Sequence, residues 1–265
     1  MQLIQMELVN PPMQLELTDR FELMVEGQKH PVAMRTVRQM LDVLTDVSAA
    51  RAIPGDMPLY YMFRDVKRKE DAALFESSHL RYDITVLPPM KIGSEFNKTY
   101  GHYHEMATSK LSYPELYEVM HGEAHYLLQQ KQSMVSNEVL GVYLVHAKAG
   151  DKVLIPPNFG HTTINAGSET LVMDNLNEWK FKSDYMPYKQ KRGAAFYYLQ
   201  NEKKRNMAYT GAKVLREMPA HDFNRLANPQ IALKIEEGKT YDLFLKKPEL
   251  FDFLKDPTLI EFRQK

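Results

Sequence analysis

The chain contains no cysteine, so disulfides and thiolate metal sites are excluded and any bound metal must be held by His, Asp or Glu. It also lacks an excess of charge of either sign. Thirty-four Lys and Arg balance thirty-four Asp and Glu, which argues against nucleic acid or an anionic membrane as the main partner. No apolar run approaches the ~20 residues a membrane-spanning helix requires. The opening MQLIQMELVNPPMQLELTDR is broken by two prolines and several charges, so it reads as neither signal peptide nor membrane anchor. A cytoplasmic location is therefore expected. Ser- or Gly-rich linkers are missing too, and with 44% hydrophobic and 26% charged residues the 265-residue composition is that of a globular domain.

What is present divides the chain into three stretches. In AMRTVRQMLDVLTDV, Val37, Met40, Leu41, Leu44 and Val47 recur at helical spacing, which predicts one amphipathic helix. RAIPGDMP interrupts it, and the aromatic strand LYYMF follows. From about residue 80 to 178 the character changes to short β-branched and aromatic runs: RYDITVL, ELYEVM, EAHYLLQ, LGVYLVHA, KVLIP, HTTIN and TLVMDNL. Turn signals such as HGE, AGD, PPNFG and NAGSE separate them, a pattern that points to a sandwich or barrel. AAFYYLQ and AKVLREM offer further strands, and Pro248 with ELFDFLK reads as a short helix with Pro in its first turn. Residues 1–79 and 181–265 are accordingly expected to extend a single mainly β domain whose core is 80–180.

Chemistry concentrates in TYGHYHEMATSKLSYPELYEVMHG. His102 and His104 are two apart, so on a strand both imidazoles project from one face and can share an ion. Glu115 opens the next strand as a third ligand, and His161 in GDKVLIPPNFGHTTIN supplies a fourth. Three imidazoles and a carboxylate suit iron, manganese, zinc or nickel in an open site. Glu105 adjoins His104 and should point away, whereas Glu118 falls on the face opposite Glu115. His121, His125 and His146 have no partner at ligand spacing and are expected in the core or on the surface.

Together these residues resemble the cupin pattern. Its first motif is matched by His102, His104, Glu115 and Gly122, with ten residues instead of three or four between His104 and Glu115. Its second is matched by Gly150, Pro156, Gly160, His161 and Asn165, with one extra residue between Pro and Gly. RYDITVLPPMKIGSEFNKTYGHYH, YPELYEVMHGEAHYLLQ and VLIPPNFGHTTIN are similar, in that order, to the archaeal-type cupin glucose-6-phosphate isomerases, over roughly the central hundred residues.

The resemblance implies a double-stranded β-helix (a jelly-roll barrel) with mixed extensions at both ends. It implies His102, His104, Glu115 and His161 as metal ligands, with Glu115 as catalytic base, and one divalent ion per subunit, iron before manganese, zinc or nickel. Thr85, Thr99, Gly101 and Tyr117 match sugar-phosphate contacts, and Tyr61 and Tyr185 are further matches. Ser183 stands where the family has a His. Lys98 could help hold the phosphate, although a solvated lysine is its simpler reading. A homodimer and a role in glycolysis and gluconeogenesis also follow from the resemblance. A mannose-6-phosphate isomerase, another metal-dependent cupin enzyme and a non-catalytic sugar-binding sensor are the alternatives.

Overall fold

A computed structural model describes residues 6–131, 136 and 138–263. The chain starts with an antiparallel meander, β1 (Met6–Asn10), β2 (Met13–Leu17), β3 (Leu23–Val25) and β4 (Gln28–Lys29). β5 (Ala33–Thr36) leads into two short helices, α1 (Val37–Met40) and α2 (Val47–Arg51), before β6 (Pro58–Phe63). The expected single helix is thus split. Thr36 and Gln39 form a capping box at its start. The backbone N–H and hydroxyl of Thr45 then donate to Glu95 at 2.8 and 2.9 Å, and Asp46 caps a second start by accepting from Ala49. Val37, Met40 and Leu44 are nevertheless buried, so the apolar spacing marked the core correctly while the intervening caps broke the helix.

After α3 (Ala72–Ser78) come β7 (Leu80–Leu87), β8 (Lys91–Ile92), β9 (Glu95–Lys98) and β10 (Tyr103–His104). The central strands follow: β11 (Glu115–His121), β12 (Glu123–Lys131), β13 (Glu138–Lys148), β14 (Lys152–Ile155), β15 (Phe159–Asn165) and β16 (Leu171–Glu178). The chain switches repeatedly between two sheets. One has the order β14-β11-β16-β7-β6-β5, and the other runs through β13-β12-β15-β9-β8. Neighbouring strands are antiparallel throughout these runs, which makes a double-stranded jelly roll of cupin type.

Both faces of the first sheet are covered. Tyr117, Val119, Val153 and Met173 point into the barrel with Tyr126, Leu128 and Val145. Leu116, Leu154, Val172, Ile84 and Tyr82 point outward and pack under Leu8, Leu15 and Leu23 of the meander and Phe244 and Phe251 of the C-terminal segment. RYDITVL keeps its alternation although the strand is covered on both sides: Tyr82, Ile84 and Val86 join the outer apolar layer, while Asp83 and Thr85 on the other face are buried polar residues.

The chain then forms β17 (Ser183–Asp184), α4 (Met186–Lys191), β18 (Phe196–Tyr198), β19 (Lys203–Arg205), β20 (Thr210–Gly211) and β21 (Leu215–Pro219). β21 adds in parallel to β13 and covers that sheet edge. Three helices end the chain, α5 (Ala220–Ala227), α6 (Pro229–Ile235) and α7 (Thr240–Lys246), with the 3-10 turn Pro248–Leu254 after them. Buried Glu118 ties this segment to the barrel. It accepts from the Thr240 N–H at 2.7 Å and pairs with Lys239 and Lys152 at 2.8 and 3.1 Å. No helix among the described residues is long and apolar enough to cross a membrane.

Candidate metal centre and active-site cavity

Three strands bring the proposed ligands together. His104 lies on β10, Glu115 is the first residue of β11 and His161 sits within β15. His102 forms a two-way backbone bridge with His161, its N–H donating at 3.2 Å and its carbonyl accepting at 3.0 Å. One donor atom from each of the four residues falls within 4.8 Å of the others. His104 and His161 place their Nε2 atoms 3.2 and 3.3 Å from Glu115 Oε2.

Two glycines permit this crowding. Gly101 has φ +83°, and a Cβ there would lie 2.2 Å from Thr162 Oγ1 and 2.3 Å from the Tyr188 ring. A Cβ on Gly160 would strike the Tyr103 ring at 2.6 Å. The residues preceding His102 and His161 are therefore held to glycine by packing.

The long excursion between His104 and Glu115 closes on itself. Met106 bridges Ser112, the Thr108 hydroxyl accepts from the Leu111 N–H at 3.0 Å, and the Tyr113 N–H donates to the Glu105 carbonyl at 3.1 Å. Asn158 and Ser112 exchange hydrogen bonds of 3.0 and 2.7 Å that pin the loop to the second motif. The extra residues thus leave the ligands in register.

Hydrogen bonds around the cluster orient its donors. His104 Nδ1 donates to the Tyr113 carbonyl at 2.7 Å, which turns its lone pair, on Nε2, inward. Glu115 Oε1 accepts from Asn175 and Asn177 amides at 2.7 and 3.3 Å, leaving Oε2 toward the imidazoles. The Tyr117 hydroxyl lies 3.2 Å from His161 Nε2. His104 Nε2 and Glu115 Oε2 are buried without a conventional hydrogen-bond partner. Buried polar atoms left so cost free energy, and converging nitrogen and carboxylate donors are what a divalent cation satisfies. The four residues fit such an ion.

Protonation is set the same way. Burial pushes the His161 imidazole down to about 3, and burial with the neighbouring imidazoles holds His102 well below its ordinary value. Burial alone would raise Glu115, but its contacts with His104, His161 and Tyr117 bring it down to about 2. Neutral imidazoles beside an ionised carboxylate are the forms that bind metal.

These shifts make metal-free protein acid-sensitive. Unfolded His titrates near ~6.5 and unfolded Glu near ~4.3. With both folded values lower, the unfolded chain binds more protons, so stability is full above about pH 6.5 and falls as pH drops toward 3. Each such histidine contributes a slope of about 1.4 kcal/mol per pH unit. Urea midpoints of chelated protein should therefore decline between pH 7.5 and pH 5, and less steeply in His161→Gln. Equal slopes would show that the histidine is not refused its proton.

Beside the cluster lies a small cavity of about 60 Å³. Thr85, Thr99, Gly101, Tyr117 and Tyr185 all line it, with His102, Glu115 and His161. Thr99 Oγ1 already accepts from the Thr163 N–H at 3.0 Å. Tyr185 packs edge-on against Tyr100 and 5.4 Å from the His102 ring, and Ser183 lines the wall where a His was expected.

Tyr61 and Lys98 lie elsewhere. Strand alternation turns Tyr60, Met62 and Arg64 to the cavity and sends Tyr61 to the other face, stacked on Phe21 at 4.8 Å. Tyr60 stands in its place, its hydroxyl accepting from Arg35 Nε at 3.3 Å. Lys98 is buried, neither solvated nor in the cavity, and donates to the Val43 carbonyl and to Glu95. Glu105 faces outward and accepts from the Lys182 N–H, and His125 stacks edge-on with His146 away from the cluster. Arg64 and Arg81 also line the cavity and went unnoticed in the sequence, where they stand in ordinary charged surroundings. Arg64 shares the face of Tyr60 and Met62, and only folding brings that face to the cavity.

Comparison with known proteins supplies the context of this geometry. A family model described as "Glucose-6-phosphate isomerase (GPI)" matches residues 34–213, well beyond the central motifs on both sides. The glucose-6-phosphate isomerase of Thermococcus gammatolerans is 28% identical over 164 residues, covering 61% of this chain and 78% of that protein. That of Pyrococcus abyssi is 27% identical over 146 residues, covering 54% and 69%. Among solved structures, a recombinant oxalate oxidase in complex with glycolate aligns with a TM-score of 0.32 at 16% identity, over 47% of this chain and 51% of that one. With the family match spanning every strand that carries the cluster, the chain belongs to the cupin-type glucose-6-phosphate isomerase family.

Proposed function

We propose that the protein is a metal-dependent aldose–ketose isomerase interconverting glucose 6-phosphate and fructose 6-phosphate. The observation that carries this reading is the four-residue cluster, with ligand atoms within 4.8 Å, opening on a hydroxyl-lined cavity in a chain of this family. A divalent cation held by His102, His104, Glu115 and His161 supplies a Lewis acid for the adjacent oxygens of the open-chain sugar. Iron is the proposed metal, with manganese, zinc or nickel as alternatives for a thiolate-free nitrogen and oxygen donor set.

The chain's own residues do the rest. Glu115 Oε2 is the proposed base that carries the proton between C2 and C1, its second oxygen being held back by Asn175 and Asn177. Tyr117 sits beside it and can donate to an oxygen that gains charge as the enediolate forms. Thr85, the Gly101 backbone and Tyr185 position the sugar, and Tyr100 and Phe181 help exclude water.

The family resemblance supports a homodimer, a cytoplasmic location and a role in glycolysis and gluconeogenesis. Residues 1–79 and 181–265 are proposed as extensions of one domain built on the 80–180 barrel, a reading supported by their shared apolar contacts on its outer face. The test is product analysis with purified, metal-loaded protein. Glucose 6-phosphate formed from fructose 6-phosphate is expected; mannose 6-phosphate as the main product would transfer the assignment to that isomerase.

A further inference from the structure

The cavity wall also carries a clamped positive charge. Asp83, on β7, is fully buried. Its Oδ2 accepts from Arg64 Nη1 at 2.6 Å, and its Oδ1 accepts from Arg81 Nε and the Asp65 N–H, both at 2.9 Å. Two guanidiniums share one carboxylate, so one positive charge is left over. Both arginines line the cavity with Thr85, Thr99 and His102, and no lysine does so among the described residues.

The arrangement fixes Arg64 without burying it. Its side chain remains 44% accessible although its partner Asp83 is inaccessible. Asp65, the next residue, takes a left-handed φ of 58°, an uncommon state for a non-glycine residue, and its N–H is bound by the same carboxylate. An arginine involved only in stability would not need a place on the cavity wall. Arg81 is tied a second time, its Nη1 donating to the Trp179 carbonyl at 3.2 Å.

We propose that Arg64, oriented by Asp83 and supported by Arg81, is a specificity residue that binds the phosphate dianion of the substrate. Nη1 is committed to Asp83, and Nη2 reaches only the weak acceptor Met62 Sδ at 3.4 Å, a contact that phosphate oxygens can displace, so Nε and Nη2 form a preset donor edge. An unphosphorylated sugar gains nothing from that edge. This assignment deepens the sugar-phosphate reading of the cavity, but phosphate recognition is measurable without turnover.

The experiment compares wild type, Arg64→Met and Arg64→Lys as metal-loaded full chains. Calorimetric titration with inorganic phosphate reads the site directly, and steady-state kinetics with fructose 6-phosphate read it in use. Arg64→Met should bind phosphate at least about tenfold more weakly and raise KM by a similar factor, with most of the loss in KM and not kcat. Arg64→Lys, a point charge without the fork, should fall between them. Unchanged phosphate affinity in Arg64→Met, or a loss confined to kcat, overturns the proposal. So does a wild type that binds no phosphate. A wild type that binds phosphate through Arg64 yet isomerises nothing would leave this assignment standing and remove the isomerase reading instead.

Discussion

Replacing His161 with alanine should abolish most metal binding and lower turnover by more than about a hundredfold, since even outer-shell changes at metal sites cost 10–100-fold. His161 is one of four donors, and it is buried between His102 and Glu115. The fold should survive. The hydrogen bonds that join residues 102 and 161 are made by backbone atoms, and an alanine keeps them. The imidazole has a buried Nδ1 without a partner, so its removal costs the fold only the Nε2 contacts with Tyr117 and Glu115. Metal analysis and circular dichroism on the same sample separate the two effects. A folded variant with wild-type metal content and turnover would take His161 out of the site.

Glu115→Gln should be nearly as damaging, for a different reason. The amide is the same size, so packing is kept. Glu115 Oε1 accepts from two asparagine amides, which in the variant will hold the Gln oxygen and turn its NH2 toward the imidazoles. That end can neither ligate a cation nor accept a proton. Metal affinity should therefore fall, and at saturating metal kcat should still drop by roughly 10²–10⁴, the usual contribution of a general base. Solvent deuterium appearing in the product of the wild type, and not in that of the variant, would identify the lost step as proton transfer. Undiminished turnover in Glu115→Gln would exclude the base assignment.

Much of this site was legible in the sequence because its ligands obey local rules. His102 and His104 lie two apart, and Glu115 and His161 each sit in a motif punctuated by glycine. The barrel strands were legible because Gly, Pro and Asn turns separate runs of β-branched residues. Less legible was anything set by one long-range contact. Thr45 bonding to Glu95 divides a helix whose apolar spacing looked continuous. The choice between Tyr60 and Tyr61 depends on which face of β6 meets the cavity, and two adjacent tyrosines carry no sign of it. Lys98 is an ordinary lysine until folding places Glu95 beside it. The last three helices run only seven or eight residues each, too short for periodicity to stand out. Asn228 followed by Pro229, a capping residue with proline in the first turn, was the available signal for one of them.

The His102, His104, Glu115 and His161 cluster is proposed to work with a divalent metal to isomerise a sugar phosphate. Its most direct test follows fructose 6-phosphate conversion to glucose 6-phosphate before chelation, after it, and after refilling with iron, manganese, zinc or nickel. Turnover that the chelator removes and at least one of these ions restores is expected. Turnover that persists in protein shown to be free of metal, or none with any ion restored, would contradict it.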